Sequence, residues 1–131
     1  MYREPQVNLY VADIDASVRF YRDLFGFRET FRTPAHGTPE HVELKLGDFT
    51  LGVASHDAAS RTHGLAVGPG GPPRAEVVLW TDDVDRAYAE LTAKGARSLS
   101  APHDFIGRLR GAWLADPDGN PVQVVARAAG A

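Results

Sequence analysis

The chain has 131 residues, a formal net charge of −3 at pH 7 and no cysteine. A chain of this length can bury a sizeable core unaided, and the lack of cysteine excludes disulfides, thiolate zinc sites and cysteine nucleophiles. The acidic balance argues against nucleic-acid binding, because such proteins usually carry a basic surface. No apolar run approaches the roughly 20 residues of a membrane span, and the first residues do not resemble a signal peptide. We therefore expect a cytoplasmic protein, bacterial by its arginine-rich and alanine-rich composition, with no nucleic-acid or membrane partner.

One segment of the sequence occurs twice. Asn8–Asp15 (NLYVADID) resembles Val78–Asp85 (VLWTDDVD), an offset of 70 residues. Each copy predicts a short strand, followed by aspartates and an amphipathic helix with apolar residues every three or four positions. The aspartates are typical helix caps, and Gly26 and Gly95 are placed to end the two helices.

Each helix is followed by three strand signals, so each half reads β-α-β-β-β. The predicted strands cover 27–32, 41–46 and 49–54 in the first half, and 97–100, 112–115 and 122–126 in the second. The sequence therefore predicts one domain over 1–131, with module 1 at about 6–54 and module 2 at about 76–127. The Gly-rich and Pro-rich residues 55–75 are predicted to be a linker without secondary structure.

Strand alternation separates an apolar face, to be covered by each helix, from a mixed polar and aromatic face. Large apolar contacts with a few polar groups are typical of ligand-binding surfaces. The candidate ligand-binding residues are Gln6, Asn8, Tyr10, Glu43, Glu76, Trp80, Phe105, Trp113 and Gln123. A solvated sheet face remains the alternative for the polar residues, and a core or dimer interface for the aromatic ones. Trp113 and Gln123 share a face if Leu114 pairs with Val122.

Other chemical motifs are weak. The paired aspartates at the helix starts are best explained as caps, and Asp116 and Asp118 as turn formers. The histidines lack metal-ligand spacing and are predicted to lie at the surface in loops or at strand edges: His36, His41, His56, His63 and His103. Residues 98–110 are predicted to form a loop in which Phe105 closes on a ligand and Arg108 and Arg110 pair with an acidic group. A plain surface loop is the alternative.

The two β-α-β-β-β halves and several motifs resemble the vicinal oxygen chelate superfamily, which includes glyoxalase I, bleomycin resistance proteins, fosfomycin resistance enzymes and extradiol dioxygenases. The motifs are VADID at 11–15, Phe20-Tyr21, LFGF at 24–27 and DPDGNP at 116–121. The resemblance covers about residues 6–127. It implies an α+β fold in which two βαβββ modules form an eight-stranded cup.

In metal-dependent members of this superfamily, four His, Glu or Gln side chains at the base of the cup hold a metal ion. The resemblance places these positions at Gln6, Gly52, Glu76 and Gln123. None is a histidine, Gly52 has no side chain, and only Glu76 is anionic. Because a catalytic divalent site needs three or more good protein ligands, we expect no metal ion or other cofactor.

These features favour a metal-free small-molecule binding protein of the bleomycin resistance type. It would sequester an aromatic or cationic, antibiotic-like ligand, and burial of Glu76 would favour a cation. The alternative is a lyase, isomerase or dioxygenase of the same superfamily that uses Glu76 as a catalytic base or metal ligand. A module without a pocket is a third possibility. Members of this length are usually homodimers, which we expect here, with the cup closed either within one chain or between two.

Overall fold

The computed structural model describes residues 1–130, which form two compact units divided between Gly71 and Pro72. The helices are α1 (Ile14–Arg19), which continues as a π-helical turn (Phe20–Leu24), α2 (His56–His63) and α3 (Val84–Ala93). The strands of the first unit are β1 (Val7–Val11), β2 (Arg28–Thr33), β3 (His41–Leu46) and β4 (Phe49–Ser55). Those of the second are β5 (Val77–Trp80), β6 (Arg97–Phe105), β7 (Leu109–Ala115) and β8 (Pro121–Arg127).

The two sheets have the same topology, which confirms the predicted repeat. The strand order is β1-β4-β3-β2 in the first unit and β5-β8-β7-β6 in the second. In the first sheet β1 and β4 are parallel, and in the second β5 and β8 are parallel. The other neighbouring strands are antiparallel. The predicted α+β class and the two βαβββ modules are therefore correct.

The register confirms which residues are equivalent in the two modules. Asn8 pairs with Gly52, and Val78 pairs with Gln123. Gly52 and Gln123 thus occupy matching positions. Leu114 pairs with Val122, so that Trp113 lies opposite Gln123, as predicted.

Both repeated helices begin and end as the sequence predicts. The carboxylates of Asp13 and Asp83 accept hydrogen bonds from the backbone N–H three residues later, which satisfies donors that the first turn leaves free. Gly26 and Gly95 follow the helices with φ of 80° and 100°, a left-handed conformation that side chains disfavour. The helices are therefore fixed at both ends by local chemistry.

The apolar face of each sheet carries the core. In the first unit Leu9 and Val11 are buried together with Val18 of α1, because the helix supplies the apolar cover that the sheet needs. Val7, which alternation places on the same face as Leu9 and Val11, is 51% exposed at the beginning of β1.

Two segments differ from the sequence predictions. Residues 56–63 of the predicted linker form helix α2, because the Ser55 hydroxyl accepts from Ala58 N–H and Gly64 ends the helix at φ 66°. Ala58 and Ala59 bury its inner face. The predicted loop at 98–110 is a β-hairpin of β6 and β7 that turns at Ile106 and Gly107. Within residues 1–130, no helix is long and apolar enough to span a membrane.

Candidate ligand-binding site

The polar face of the first sheet brings three predicted residues together. Gln6 Nε2 donates to Asn8 Oδ1 at 2.9 Å and to Glu43 Oε2 at 3.4 Å. His41 joins them, since its Nε2 lies 3.1 Å from Glu43 Oε2. Four polar side chains from β3 and the start of β1 thus form one network on the face that the alternation had assigned to a ligand.

This network uses space that Gly52 leaves open on β4. A Cβ atom at residue 52 would overlap Asn8 Oδ1 and lie 3.1 Å from His41 Cε1. The position that the resemblance assigns to a metal ligand therefore has no side chain, and the amide of Asn8 fills its place.

The equivalent face of the second sheet carries an aromatic cluster. His103 stacks on Trp113 with ring centroids 5.4 Å apart and planes at 23°, and Phe105 lies 5.5 Å from the same indole. A Cβ at Gly111 would lie 2.9 Å from Phe105 Cε1, so this glycine gives the rings room to pack. Trp113 Nε1 donates to Glu76 Oε2 at 3.2 Å, which places a carboxylate at the edge of the cluster.

Gln123 places an amide on this aromatic face. The residue is 8% exposed and lies opposite Trp113 in the register. Within residues 1–130 its side chain has no hydrogen-bond partner, so the amide has donors and acceptors available to a ligand.

Trp80 and Tyr10 lie outside these two clusters, and Glu76 is more exposed than expected. Trp80 is 63% exposed at the end of β5, in a shallow groove with Arg127. Tyr10 is exposed and lines a cavity with Asn8. Glu76 was expected to be buried, but it is exposed, because it lies just before β5 begins.

The four family metal positions provide a poor donor set. They supply one carboxylate, from Glu76, and two neutral amides, from Gln6 and Gln123, while Gly52 supplies none. A catalytic transition-metal centre normally has three or more imidazole, thiolate or carboxylate ligands, so these residues do not fit such a centre. Among residues 1–130, no group of three or more His, Cys, Asp or Glu side chains could hold a metal ion.

Arg110, predicted to meet an acidic ligand group, is engaged within its own module. It donates two hydrogen bonds of 2.8 Å to Asp85 and one of 3.0 Å to Asp104. The hydrogen bond from the guanidinium holds the pKa of Asp85 below its ordinary value. Phe105 is likewise part of strand β6 and the aromatic cluster, so the predicted closing loop was wrong.

His41 and His103 were predicted as surface histidines without a role; His103 is exposed as predicted, and both side chains contact the candidate residues. His41 opens β3 and is hydrogen-bonded to Glu43, and His103 lies in β6 against Trp113. The alternation of His41 with Glu43 was a usable signal in the sequence. His103 was hidden, because its segment had been predicted as a loop.

Comparison with known proteins places this geometry in a family. The model of the Glyoxalase/Bleomycin resistance protein/Dioxygenase superfamily matches residues 4–124. Comparison with curated proteins gives no match.

Solved structures share the fold over almost the whole chain. A glyoxalase/bleomycin resistance protein/dioxygenase family enzyme from Burkholderia phytofirmans is 24% identical, with a TM-score of 0.81 over 95% of this chain and 98% of its own. TioX from Micromonospora sp. ML1 is 27% identical, with a TM-score of 0.73 over 94% and 98%. A lactoylglutathione lyase from Agrobacterium tumefaciens is 25% identical, with a TM-score of 0.70 over 92% and 91%. The chain belongs to the Glyoxalase/Bleomycin resistance protein/Dioxygenase superfamily.

Proposed function

We propose that this protein binds a small aromatic ligand without a metal ion and releases it chemically unchanged. The observation that carries the proposal is the aromatic face of the second module. There the His103 ring stacks on Trp113, and the indole N–H donates to the Glu76 carboxylate. An aromatic ligand gains apolar burial and ring-to-ring contact there, each ring pair adding about 0.5–1.5 kcal/mol beyond the area buried.

The polar groups of this face favour a ligand with a positive charge or hydrogen-bond donors. Glu76 accepts one bond from Trp113 and keeps further acceptor positions, and the Gln123 amide lies opposite Trp113 in the register. A cationic aromatic compound would satisfy both the carboxylate and the rings. In the first module, Gln6, Asn8, Tyr10 and Glu43 stay predicted ligand contacts, as does Trp80 in the second.

The absence of chemistry follows from the donor set rather than from the fold. The fold carries enzymes as well as binding proteins, so the site must decide between them. One carboxylate with two amides and a glycine provides no strong centre for activating a substrate oxygen. We propose that Glu76 orients a ligand and does not act on it.

Two tryptophans make a direct test possible, because Trp80→Phe leaves Trp113 as the only indole. Ethidium, a cationic aromatic probe, and metal-free bleomycin, the compound in the family name, would be titrated against this variant, with and without a chelator. Quenching of Trp113 by either probe, unchanged by the chelator and lost in Phe105→Ala, is the expected result. Trp113→Phe, which keeps the exposed Trp80, is the comparison variant and should be quenched less than Trp80→Phe, because it lacks the indole of the aromatic cluster.

Elemental analysis of protein purified without chelators completes the test. We expect well under one metal ion per chain. A stoichiometric transition metal that disappears in Glu76→Gln would overturn the proposal in favour of the enzyme alternative. The homodimer stays a prediction, which sedimentation velocity would check.

A further inference from the structure

The first module contains a cavity of about 340 Å³ between helix α2 and the polar face of its sheet. This volume is near the lower end of ligand pockets, which measure roughly 300–1,000 Å³. We call it the α2 pocket. One wall is apolar, formed by Ala54, Ala58 and Ala59, and the Tyr10 side chain adjoins it. Space and lining suit a single small ring.

The pocket depends on helix α2, which follows β4. Its lining residues all belong to the first module, from Asn8 to His63.

His41 gives the pocket a defined hydrogen-bond acceptor. It lines the cavity, and its Nε2 is 3.1 Å from Glu43 Oε2. An ionised carboxylate only accepts, so in the neutral imidazole this contact favours the tautomer with its proton on Nε2 and leaves Nδ1 as an acceptor. Gln6 donates to the same Glu43 oxygen and helps to hold it in place. The side chains of His41 and Glu43 are only 23% and 29% exposed, so the pair is partly shielded from water.

The surrounding charges select a neutral donor. Glu40 lines the pocket together with the imidazoles of His41 and His63, and Glu43 lies behind His41, so the nearby carboxylates disfavour an anionic ligand. Glu40 is already bonded to Arg61 at 3.2 Å, which reduces its attraction for a cation. A hydroxyl group on an aromatic ring matches the apolar wall, the volume and the imidazole acceptor together.

We propose that the α2 pocket binds a small neutral phenol, whose hydroxyl donates to His41 Nδ1 while Glu43 acts as a positioning residue. The residues that line this pocket belong to the first module, and the inference does not rest on the function proposed for the aromatic face of the second.

The test uses 4-fluorophenol observed by ¹⁹F NMR, with 4-fluoroanisole as the matched probe that lacks the donor. We expect the phenol to bind the wild-type protein more tightly than the ether. His41→Phe should weaken phenol binding about fivefold, as expected for one lost hydrogen bond, and leave ether binding unchanged. Glu43→Gln should weaken only the phenol and shift the ring-nitrogen resonances of His41 away from a single tautomer.

Two further variants keep the proposal falsifiable. Thr62 is exposed on α2 and lines the pocket, so Thr62→Phe should block both probes without disturbing the core. Trp113→Ala should leave phenol binding intact. Equal affinity for the two probes, full phenol binding in His41→Phe or in Thr62→Phe, or loss of it in Trp113→Ala would each overturn the proposal. Loss of phenol binding in Trp113→Ala would indicate that the phenol binds at the aromatic face of the second module instead.

Discussion

Arg110 donates two hydrogen bonds of 2.8 Å to the carboxylate of Asp85 and so ties strand β7 to the first turn of α3. Asp15 is the equivalent of Asp85, 70 positions earlier, and it accepts a hydrogen bond of 3.2 Å from Arg32 of β2. A carboxylate at this position also complements the helix dipole. Both modules therefore fasten the start of their helix with an arginine, although the two arginines come from strands that are not equivalent.

The Asp85 pair predicts a specific response to acid. Arg110 lowers the pKa of Asp85 in the folded state, so the pair stabilises fully above the unfolded value of about 3.9. That contribution is lost as the pH falls through the lower folded pKa. Arg110→Gln should therefore reduce stability at pH 7 and flatten its decline below about pH 4. Urea unfolding midpoints measured in pH steps would check this.

Arg32→Gln is a suitable companion, because Arg32 lowers the pKa of Glu29 in the first module. The same sign argument applies, so this variant should also flatten the acid decline. If either variant kept the wild-type slope, the ion pair concerned would not contribute to acid sensitivity.

The close approach at Gly52 predicts a steric penalty. Gly52→Ala would push a methyl group into the Asn8 amide and against His41, so we expect a loss of about 1–3 kcal/mol in the free energy of unfolding. Gly68 has open space and no left-handed φ, so Gly68→Ala is a control that should be neutral or slightly stabilising.

A double variant identifies the contact responsible. Asn8→Ala removes the overlapping amide, so Gly52→Ala should be much less harmful in that background than in the wild type. Strictly additive effects in chemical denaturation would show that the amide is not the obstacle.

His56 predicts a gain in stability. Its Nε2 is buried and has no hydrogen-bond partner within residues 1–130, and such a group costs roughly 1–3 kcal/mol. His56→Leu replaces it with an apolar side chain of similar size and should raise Tm by a few degrees. His36→Leu, at an exposed position, is the control and should leave Tm unchanged. A lower Tm for His56→Leu would mean that the ring makes contacts worth more than its unsatisfied nitrogen.

Glu76 predicts a charge-dependent affinity. In the Trp80→Phe background, Glu76→Gln should weaken ethidium binding about fivefold at low salt, because the amide retains the shape but not the charge. The difference should shrink at high salt, since Glu76 is exposed and screened. Fluorescence titrations at two ionic strengths would measure it, and a difference that persists at high salt would argue against a charge effect.

Local signals were sufficient for most of the fold. Capping by Asp13 and Asp83 and the terminal Gly26 and Gly95 depend on neighbours in sequence, so they could be read directly. The register of β7 and β8 was only a condition in the sequence analysis, and the structure meets it, with Leu114 opposite Val122.

The errors arose where local signals conflicted. In 55–64 the glycines and prolines that follow outweighed the Ser55 cap and the Gly64 stop, although both mark a helix. In β6 the register shifts between Ser98 and His103, which breaks the two-residue alternation on which strand prediction depends. The hairpin and its histidine were consequently missed.

The site itself was only half predictable. The alternation placed Gln6, Asn8 and Glu43 on one face, and the structure joins them by hydrogen bonds. The alternation could not reveal that Glu76 is exposed, because this depends on where β5 begins. Nor could it reveal the hydrogen bond to Trp113, which lies 37 residues away in the sequence.

The filling of the Gly52 position by Asn8 limits how a metal ligand could be installed there. A histidine placed at residue 52 would collide with the amide already present. A smaller residue would have to replace Asn8 as well, so engineering a ligand at this position requires coordinated changes at two residues.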